Sequence, residues 1–252
     1  MNIYLELILV VFGYFLLFYI IGLIKKDNSF VDIGWGLGFI VITLYSLLSV
    51  QATPVDYIIF FMVSIWGLRL TWHISDRKLG APEDFRYQKW REEWNYFYIR
   101  SFLQIYMLQG ILLYIIAYPA VKLIISPETN IGWVGFLGIC IWIIGFAFEV
   151  IADWQLKKFL QNRNDENKIM DSGLWKYSRH PNYFGESVVW IGVFLLTFDV
   201  TGSLLTVVSP ISITLLIRFV SGVPLLEKRF ENNARYQKYA KQTNIFFPWF
   251  SN

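Results

Sequence analysis

Long apolar stretches recur along this sequence and restrict the folds that the chain can adopt. A helix needs about 20 mostly apolar residues to cross a bilayer. Seven stretches qualify or nearly qualify, and they cover residues 3–24, 33–51, 55–74, 100–120, 131–156, 183–199 and 203–223. The sequence therefore predicts an all-α integral membrane protein with seven transmembrane helices, organised as a single membrane domain over residues 1–252.

The composition agrees with a membrane protein. Hydrophobic residues make up 56% of the chain and charged residues 16%, whereas charged residues make up about 25% of soluble domains. The 11 Trp and 15 Tyr residues suit the aromatic belts found at membrane interfaces. One cysteine, Cys140, excludes a disulfide within the chain, and one cysteine with two histidines does not favour a metal site. We expect membrane lipids as partners, no metal and no nucleic acid, and the composition leaves the oligomeric state open.

The basic residues predict the orientation in the membrane. The first apolar stretch lacks a basic leader and a cleavage site, so we interpret it as a retained helix. With the N-terminus outside, every one of the 22 Lys and Arg residues except Lys122 lies in an inner loop, in the C-terminal tail or near an inner helix end. Because cytoplasmic loops are enriched in Lys and Arg, the sequence predicts an N-out, C-in topology with the polar residues gathered on the cytoplasmic side.

The stretch 171–190, DSGLWKYSRHPNYFGESVVW, is the densest run of polar residues in the chain. Pro181 suits the first turn of a helix, where its missing N–H has no cost. In that helix Asn182, Glu186 and Trp190 share one face. Arg179 and His180 precede the helix N-terminus, where backbone N–H groups and the helix dipole favour an anion.

Further polar residues lie near the predicted helix ends. Asp32 opens the second span beside a glycine-rich face, and it is either a ligand contact or a charge or cap at the helix N-terminus. In the loop APEDFRYQKWREEW we interpret the charges as a solvated face, with Arg86 and Arg91 as possible phosphate ligands. We expect the tail after residue 226 to lie against the membrane or to cap the inner loops.

Two more helical faces carry charge. Arg69, His73 and Arg77 share one face of the third span, and Arg69 either binds a ligand or extends its charged end to the inner interface. Glu149 and Asp153 end the fifth span, which is unfavourable for the helix dipole unless they meet cations or a ligand. An ion pair between Asp153 and Lys157 is the structural alternative to a ligand site.

Several of these motifs resemble one known group of membrane enzymes. GLWKYSRHPNYFGE followed by VVW is similar to the carboxyl-terminal signature of the steroid 5-alpha-reductase superfamily, which includes the sterol reductases. Supporting matches are SFVDIGWGLGF, the EDFRY loop, EVIADWQLKKF and the closing EKRF…RYQKYAKQTNIFFPW. The resemblance extends from about Ser29 to the end of the chain and is strongest to the bacterial members of the group.

The resemblance implies a function and a set of site residues. It implies seven membrane helices, NADPH bound on the cytosolic side, and reduction of a carbon–carbon double bond, often conjugated to a ketone. The residues that match family cofactor positions are Asp153, Asn182, Glu186, Trp190 and Arg218; the neighbouring bases Arg179 and His180 complete the expected cofactor-binding set. Family members carry a His and a Tyr after the arginine of helix seven, whereas this chain has Gly222 and Leu226 there, so cofactor contacts and substrate are expected to differ.

The implied mechanism is hydride transfer to the β-carbon of an enone-type double bond. We assign Asp32 as the catalytic acid that donates a proton to the substrate oxygen, with a nearby tyrosine as the alternative donor, because burial favours the protonated form of a carboxyl group. The substrate is then a hydrophobic small molecule or lipid. We expect the site to open to the cytoplasm from a bacterial inner (plasma) membrane.

Two other function classes stay open. A membrane methyltransferase using S-adenosylmethionine is the first, because the isoprenylcysteine carboxyl methyltransferases share a similar RHPxYxG element; Asn182 and Glu186 favour the reductase instead. A lipid-binding protein without catalytic activity is the second, since fold analogy alone does not establish function.

Overall fold

In a computed structural model, residues 2–165 and 168–249 are described, and all of their secondary structure is helical. Seven helical segments are long and apolar enough to cross a membrane: Ile3–Lys25, Phe30–Leu48, Pro54–Lys78, Phe97–Ile124, Trp133–Gln161, Pro181–Thr201 and Leu204–Arg229. The predicted all-α class and the number of spans are confirmed. The predicted N-out, C-in orientation stays a prediction.

The helices are numbered in chain order as α1 Ile3–Lys25, α2 Phe30–Leu48, α3 Pro54–Lys78, α4 Phe85–Glu93, α5 Phe97–Ser101, α6 Leu108–Ile124, α7 Trp133–Gln161, α8 Pro181–Thr201, α9 Val208–Leu215, α10 Val223–Arg229 and α11 Ala234–Gln242. Short 3₁₀ turns lie at Gly173–Lys176 and Leu204–Val207, and π-helical turns at Phe102–Met107 and Leu216–Ser221. The π-helical turns interrupt the fourth and seventh spans, and such turns are frequent at functional sites.

Internal packing divides the chain into two compact units. Unit 1 comprises Met1–Asn130 and Val200–Thr206, and unit 2 comprises Ile131–Asp199 and Val207–Asn252. The prediction of a single membrane domain over residues 1–252 stays a prediction. Each unit is described by itself below.

In unit 1, glycines allow α2 and α3 to pack with their backbones in contact. A Cβ atom added to Gly67 would lie 2.6 Å from the carbonyl oxygen of Gly36. Beside this contact the rings of Phe39 and Trp66 meet edge to face, with centroids 5.2 Å apart, and both side chains are fully buried. Small residues let membrane helices approach closely, so Gly36 and Gly67 serve the packing of this helix pair.

In unit 2, glycines spaced seven residues apart on each helix bring α7 against α8. A Cβ atom on Gly185 would lie 2.6 Å from the backbone nitrogen of Glu149, and one on Gly192 would lie 2.6 Å from the carbonyl oxygen of Gly138. Asp199, near the end of α8, accepts a hydrogen bond from the backbone N–H of Gly132, which precedes α7. This backbone contact places the polar ends of the two helices beside each other.

The C-terminal tail packs on the loop that precedes α8. The N–H of Arg179 donates to the carbonyl of Asn244 at 2.8 Å, and Ser178 Oγ donates to the carbonyl of Phe246 at 2.7 Å. The hydroxyl of Tyr239, on α11, donates to the carbonyl of Trp175. The tail therefore packs on the loop between α7 and α8, as one of the two expectations from the sequence stated.

Candidate functional site

The first polar cluster lies between α7 and α8, and we call Asp153, Asn182, Glu149 and Glu186 the α7–α8 cluster. α8 begins at Pro181, as predicted, so Asn182 lies in its first turn. Asn182 Nδ2 donates a hydrogen bond to Asp153 Oδ1 at 3.0 Å. Glu149, one turn before Asp153, and Glu186, one turn after Asn182, are both buried. Three acidic side chains and one amide thus come from two facing helices whose backbones are in contact.

The orientation of the Asn182 carboxamide is set by this hydrogen bond. Because Nδ2 donates to Asp153, Oδ1 must point away from that carboxylate. Oδ1 is buried, and no donor in the described residues reaches it. Buried polar atoms in proteins are usually hydrogen-bonded, so Asn182 Oδ1 is a candidate acceptor for a ligand N–H or O–H group.

Two more predicted cofactor residues flank this cluster in unit 2. Trp190 lies on the same face of α8 as Asn182 and is buried. Arg218 lies in the π-helical turn of the seventh span, is half-buried, and places its guanidinium over the ring of Phe219 at 4.9 Å. Within the ranges that the structure describes, Arg218 forms no ion pair with a carboxylate. It is a cation that can meet a phosphate.

Glu227, on α10, organises the second cluster of unit 2. Its Oε2 accepts a hydrogen bond from Arg179 Nη1 at 2.6 Å, and its Oε1 lies 2.8 Å from His180 Nε2. Tyr236, on α11, donates its hydroxyl to the same Oε1 at 2.6 Å. We call these four residues the Glu227 cluster. Arg179 and His180 therefore lie beside the chain's own carboxylate, and their assignment to the cofactor site stays a prediction.

The electrostatics of the Glu227 cluster favour a neutral histidine. Burial lowers the pKa of His180 below its ordinary value of 6.5; the Glu227 carboxylate opposes this shift, and the positive charges of Arg179 and Arg218 add to it. Burial, together with the hydrogen bond to Glu227, raises the pKa of Tyr236 well above its ordinary value. Tyr236 therefore stays a donor, and the negative charge of Glu227 is balanced by Arg179.

Asp32, the predicted catalytic acid, lies in unit 1 at the start of α2. Its Oδ1 accepts a hydrogen bond from the hydroxyl of Tyr87 at 2.7 Å, and its Oδ2 accepts one from Arg86 Nη2 at 3.2 Å. Arg86 also binds Asp84 at 2.8 Å. We call Asp32, Asp84, Arg86 and Tyr87 the Asp32 cluster. Asp32 lies in the first turn of α2, as the alternative of a charge at the helix N-terminus stated, and its carboxylate binds side chains of α4. Its role as a catalytic acid stays a prediction.

The surroundings of the Asp32 cluster are buried and polar. Ser29, before α2, accepts a hydrogen bond from the N–H of Asp84, and Asn28 Oδ1 accepts one from the hydroxyl of Tyr106 at 2.8 Å. Glu83 binds Arg91 at 2.8 Å. Arg86 and Arg91 are thus held by the protein's own carboxylates, whereas Gln88, Lys89, Glu92 and Glu93 form the exposed face of the segment. A phosphate contact of Arg86 or Arg91 stays a prediction.

Tyr87 is the group in this cluster that keeps a proton. Burial, and then the adjacent Asp32 carboxylate, hold the pKa of Tyr87 well above its ordinary value. The side chain is almost fully buried on α4, with its hydroxyl directed at Asp32. Tyr87 belongs to the EDFRY motif, but the sequence did not indicate a role for this residue. Only the tertiary structure brings α4 against the start of α2.

The structure thus places the predicted site residues in several separate groups. Asp153 and Asn182 share a hydrogen bond; Arg179 and His180 share Glu227; Glu186 and Trp190 share a face of α8 with Asn182; and Asp32 has Arg86 and Tyr87 as neighbours. Glu227 and Tyr236 are the functional candidates that the sequence did not single out. Glu227 is one of two acids, with Glu231, among the basic residues of the tail, and this contrast in charge was the signal that could have indicated it.

Comparison with known proteins gives distant relatives. The chain is 26% identical over 219 residues to an uncharacterised protein of Schizosaccharomyces pombe, covering 75% of this chain and 62% of that protein. It is 27% identical over 112 residues to 3-oxo-5-alpha-steroid 4-dehydrogenase 1 of Rattus norvegicus, covering 44% of this chain and 40% of that enzyme. It is 36% identical over 66 residues to very-long-chain enoyl-CoA reductase of Dictyostelium discoideum, covering 26% and 22% respectively.

These matches span less than two thirds of each of the three relatives. No solved structure matches this chain. A family model described as "Protein of unknown function (DUF1295)" matches residues 18–243 and so covers most of the chain. The motif resemblance and the family match agree: this protein belongs to the DUF1295 family, a steroid 5-alpha-reductase-like family of membrane proteins.

Proposed function

We propose that this protein is a membrane reductase that uses NADPH to reduce a carbon–carbon double bond beside a carbonyl group, in a lipid or steroid-like substrate. The names of two relatives support the reaction class, because a 3-oxosteroid 4-dehydrogenase and an enoyl-CoA reductase both act at a carbon–carbon bond near a carbonyl. The hydrophobic substrate is supported by the seven helices that are long and apolar enough to cross a membrane.

The hydrogen bond between Asn182 and Asp153 is the observation that carries the cofactor assignment. It leaves the buried Asn182 Oδ1 as an acceptor with no donor in the described parts of the chain. The carboxamide of a nicotinamide ring offers the N–H group that such an acceptor requires. Arg218, with no carboxylate partner recorded in residues 2–165 and 168–249, suits a phosphate of the same ligand.

The proposed chemistry divides between the ligand and the chain. When bound, NADPH supplies the hydride that adds to the β-carbon of the double bond. The chain supplies the proton that balances this addition and the groups that orient the reactants. Of the two proton sources that the sequence suggested, we propose Tyr87 rather than Asp32. Asp32 accepts hydrogen bonds from Arg86 and Tyr87, so we assign it to holding the phenol in place. Tyr87 would turn its hydroxyl from Asp32 and pass the proton to the substrate oxygen, and the Arg86 guanidinium, 5.3 Å from the Tyr87 ring centroid, would balance the phenolate that is left.

Cofactor binding is tested by titrating the detergent-purified protein with NADPH and, separately, with S-adenosylmethionine. We expect NADPH to bind and Asn182→Ala to weaken binding about tenfold, which corresponds to one well-formed hydrogen bond with its associated positioning. Asn162→Ala is the matched control, because Asn162 is exposed at the end of α7. Binding of S-adenosylmethionine without NADPH would favour the methyltransferase and refute the reductase.

The proton source is tested by the turnover of NADPH with an enone steroid and with an enoyl thioester. We expect Tyr87→Phe to lower kcat by about 100-fold, within the range for loss of a general acid, and to leave the affinity for NADPH within twofold. Tyr96→Phe is the matched control, because Tyr96 is exposed. An unchanged kcat in Tyr87→Phe would remove Tyr87 from the mechanism.

We also propose that the polar clusters open to the cytoplasm of a plasma membrane. The support is the distribution of Lys and Arg, of which only Lys122 falls outside the inner connections, tail and inner helix ends. In a Cys140→Ser background, a single cysteine at position 241 is expected to react with an impermeant thiol reagent only from the cytoplasmic side. A cysteine at position 130 is expected to react only from the outside, and the reverse pattern would invert the topology.

A further inference from the structure

His180 is buried at the N-terminus of α8 and has a fixed set of neighbours. It is 2% exposed, its backbone N–H donates to Ser178 Oγ, and its ring stacks on Tyr183 with centroids 5.6 Å apart and an interplanar angle of 13°. Nε2 lies 2.8 Å from Glu227 Oε1. The ring plane and one ring nitrogen are therefore held in place by the protein.

The chemistry of Glu227 determines which ring nitrogen carries the proton. An ionised carboxylate only accepts hydrogen bonds, so His180 Nε2 must be the protonated nitrogen. The ionised form of Glu227 is favoured because Arg179 and Tyr236 also donate to it. A neutral histidine with a proton on Nε2 has a lone pair on Nδ1.

Nδ1 has no hydrogen-bond partner in the part of the chain that the structure describes, although it is buried. The charged and titratable groups around the ring are Glu227 from α10, Tyr236 from α11, Arg218 from the π-helical turn, Tyr183 from α8 and Arg179 from the loop. Burial and the two arginines disfavour a positive charge on His180. An unpartnered acceptor in such a place indicates a hydrogen-bond donor on a ligand.

We propose that His180 Nδ1 is a ligand-binding acceptor for a hydroxyl or amino group, and that Glu227 is the positioning residue that keeps the proton on Nε2. This inference deepens the proposed function, and it relies on that function only for the identity of the ligand, in which the group is a ribose hydroxyl. It also excludes His180 as a phosphate ligand, because a phosphate oxygen and the Nδ1 lone pair are both acceptors. The anionic groups of the ligand then belong to Arg218.

The protonation of each ring nitrogen is measured directly by ¹⁵N NMR of histidine-labelled protein. The chain has two histidines, so His73→Gln leaves His180 as the one labelled ring. At neutral pH we expect a protonated Nε2 and an unprotonated Nδ1 before any ligand is added. A proton on Nδ1, alone or together with one on Nε2, overturns the inference.

Ligand contact is measured by titrating the same sample. NADPH and S-adenosylmethionine both carry ribose hydroxyls, and inorganic pyrophosphate carries none. A shift of the Nδ1 signal with NADPH or with S-adenosylmethionine, and none with pyrophosphate, supports the inference. A shift with S-adenosylmethionine but not with NADPH supports it while refuting the reductase. No shift with NADPH and none with S-adenosylmethionine overturns it.

Three variants separate the acceptor from a structural role. His180→Asn keeps an acceptor near the position of Nδ1, whereas His180→Gln reaches toward Glu227 and lacks one, so we expect Gln to weaken nucleotide binding by about tenfold more than Asn does. Glu227→Gln can both donate and accept, so it should give a mixture of the two histidine tautomers. Glu231→Gln, the same change at an exposed position, should leave both the NMR signals and the affinity unchanged. Equal binding by His180→Asn and His180→Gln overturns the assignment.

Discussion

The Asp32 cluster of unit 1 and the Glu227 cluster of unit 2 use buried charge in opposite ways. In and beside the Asp32 cluster each carboxylate has its own cation or shares one: Asp32 and Asp84 share Arg86, and Glu83 binds Arg91. In unit 2 one carboxylate, Glu227, accepts from three donors, and a ring nitrogen beside it has no partner among the residues described. In the first arrangement every carboxylate has a cation from the chain, whereas in the second a buried acceptor is left for a ligand.

The comparison predicts that removing the cation of the Asp32 cluster lowers stability and leaves nucleotide binding unchanged, and that changes at the unpartnered acceptors of unit 2 lower nucleotide binding. Partly buried ion pairs stabilise a fold when geometry is good, and breaking one leaves an uncompensated charge. An oriented acceptor contributes little to the fold until its ligand is present. Four variants test this contrast, in order of decreasing effect.

The largest effect is expected from Gly185→Leu in unit 2. The new side chain would collide with the backbone of Glu149 and separate α7 from α8, because even a Cβ atom there lies 2.6 Å from the Glu149 nitrogen. We expect a loss of about 3 kcal/mol or more in stability and no detectable binding of NADPH. Thermal unfolding in detergent and NADPH titration measure the two effects. Gly13→Leu is the control, because a Cβ at Gly13 meets nothing within 4 Å; an equal loss there would contradict the packing argument.

A smaller effect is expected from Arg86→Met in unit 1. The change removes the cation shared by Asp32 and Asp84, whose side chains are about one third exposed or less. We expect a loss of about 2 kcal/mol, between the values for surface and buried pairs, and NADPH affinity within twofold of wild type. Lys89→Met, at an exposed pair with Glu93, should cost about 0.5 kcal/mol or less. A tenfold loss of NADPH affinity in Arg86→Met would break the contrast between the units.

The stability of the protein should depend on pH through the protonation of His180 in unit 2. Its folded pKa lies below the ordinary value of 6.5, so the unfolded chain takes up a proton first as the pH falls. Stability therefore declines as the pH drops below about 6.5, by at most about 1.4 kcal/mol per pH unit for one proton. Thermal unfolding between neutral and mildly acidic pH should show this decline in wild type and His73→Gln and a smaller one in His180→Asn. Identical slopes in wild type and His180→Asn would show that another group is responsible.

The smallest effect is expected from Tyr236→Phe. It removes one of the three donors to Glu227, and the raised pKa of Tyr236 means that a neutral hydroxyl is lost rather than a phenolate. We expect about 1 kcal/mol of destabilisation, a twofold change in NADPH affinity, and no change in the His180 tautomer by ¹⁵N NMR. Tyr98→Phe, at an exposed ring, is the control. A change of tautomer in Tyr236→Phe would make Tyr236 a positioning residue equal to Glu227.

The local sequence was sufficient for the secondary structure of the central stretch. Pro181 predicted the start of α8, and the spacing of Asn182, Glu186 and Trp190 predicted their common face. Both inferences depend on periodicity and backbone chemistry within one helix. The sequence also identified Asp153 as a polar residue near a helix end, but it left open whether its partner was Lys157 or a ligand. In the structure Asp153 accepts a hydrogen bond from Asn182, which lies on a different helix and is 29 positions away.

The number and length of the helices were determined by the sequence alone, because a bilayer imposes a minimum apolar length that can be counted along the chain. Which polar groups meet was decided by tertiary structure alone. Glu227 lies 47 positions from His180, and Tyr87 lies 55 positions from Asp32. Hydrogen bonds are short and directional, so an error of one helical turn in packing would give each of these side chains a different partner.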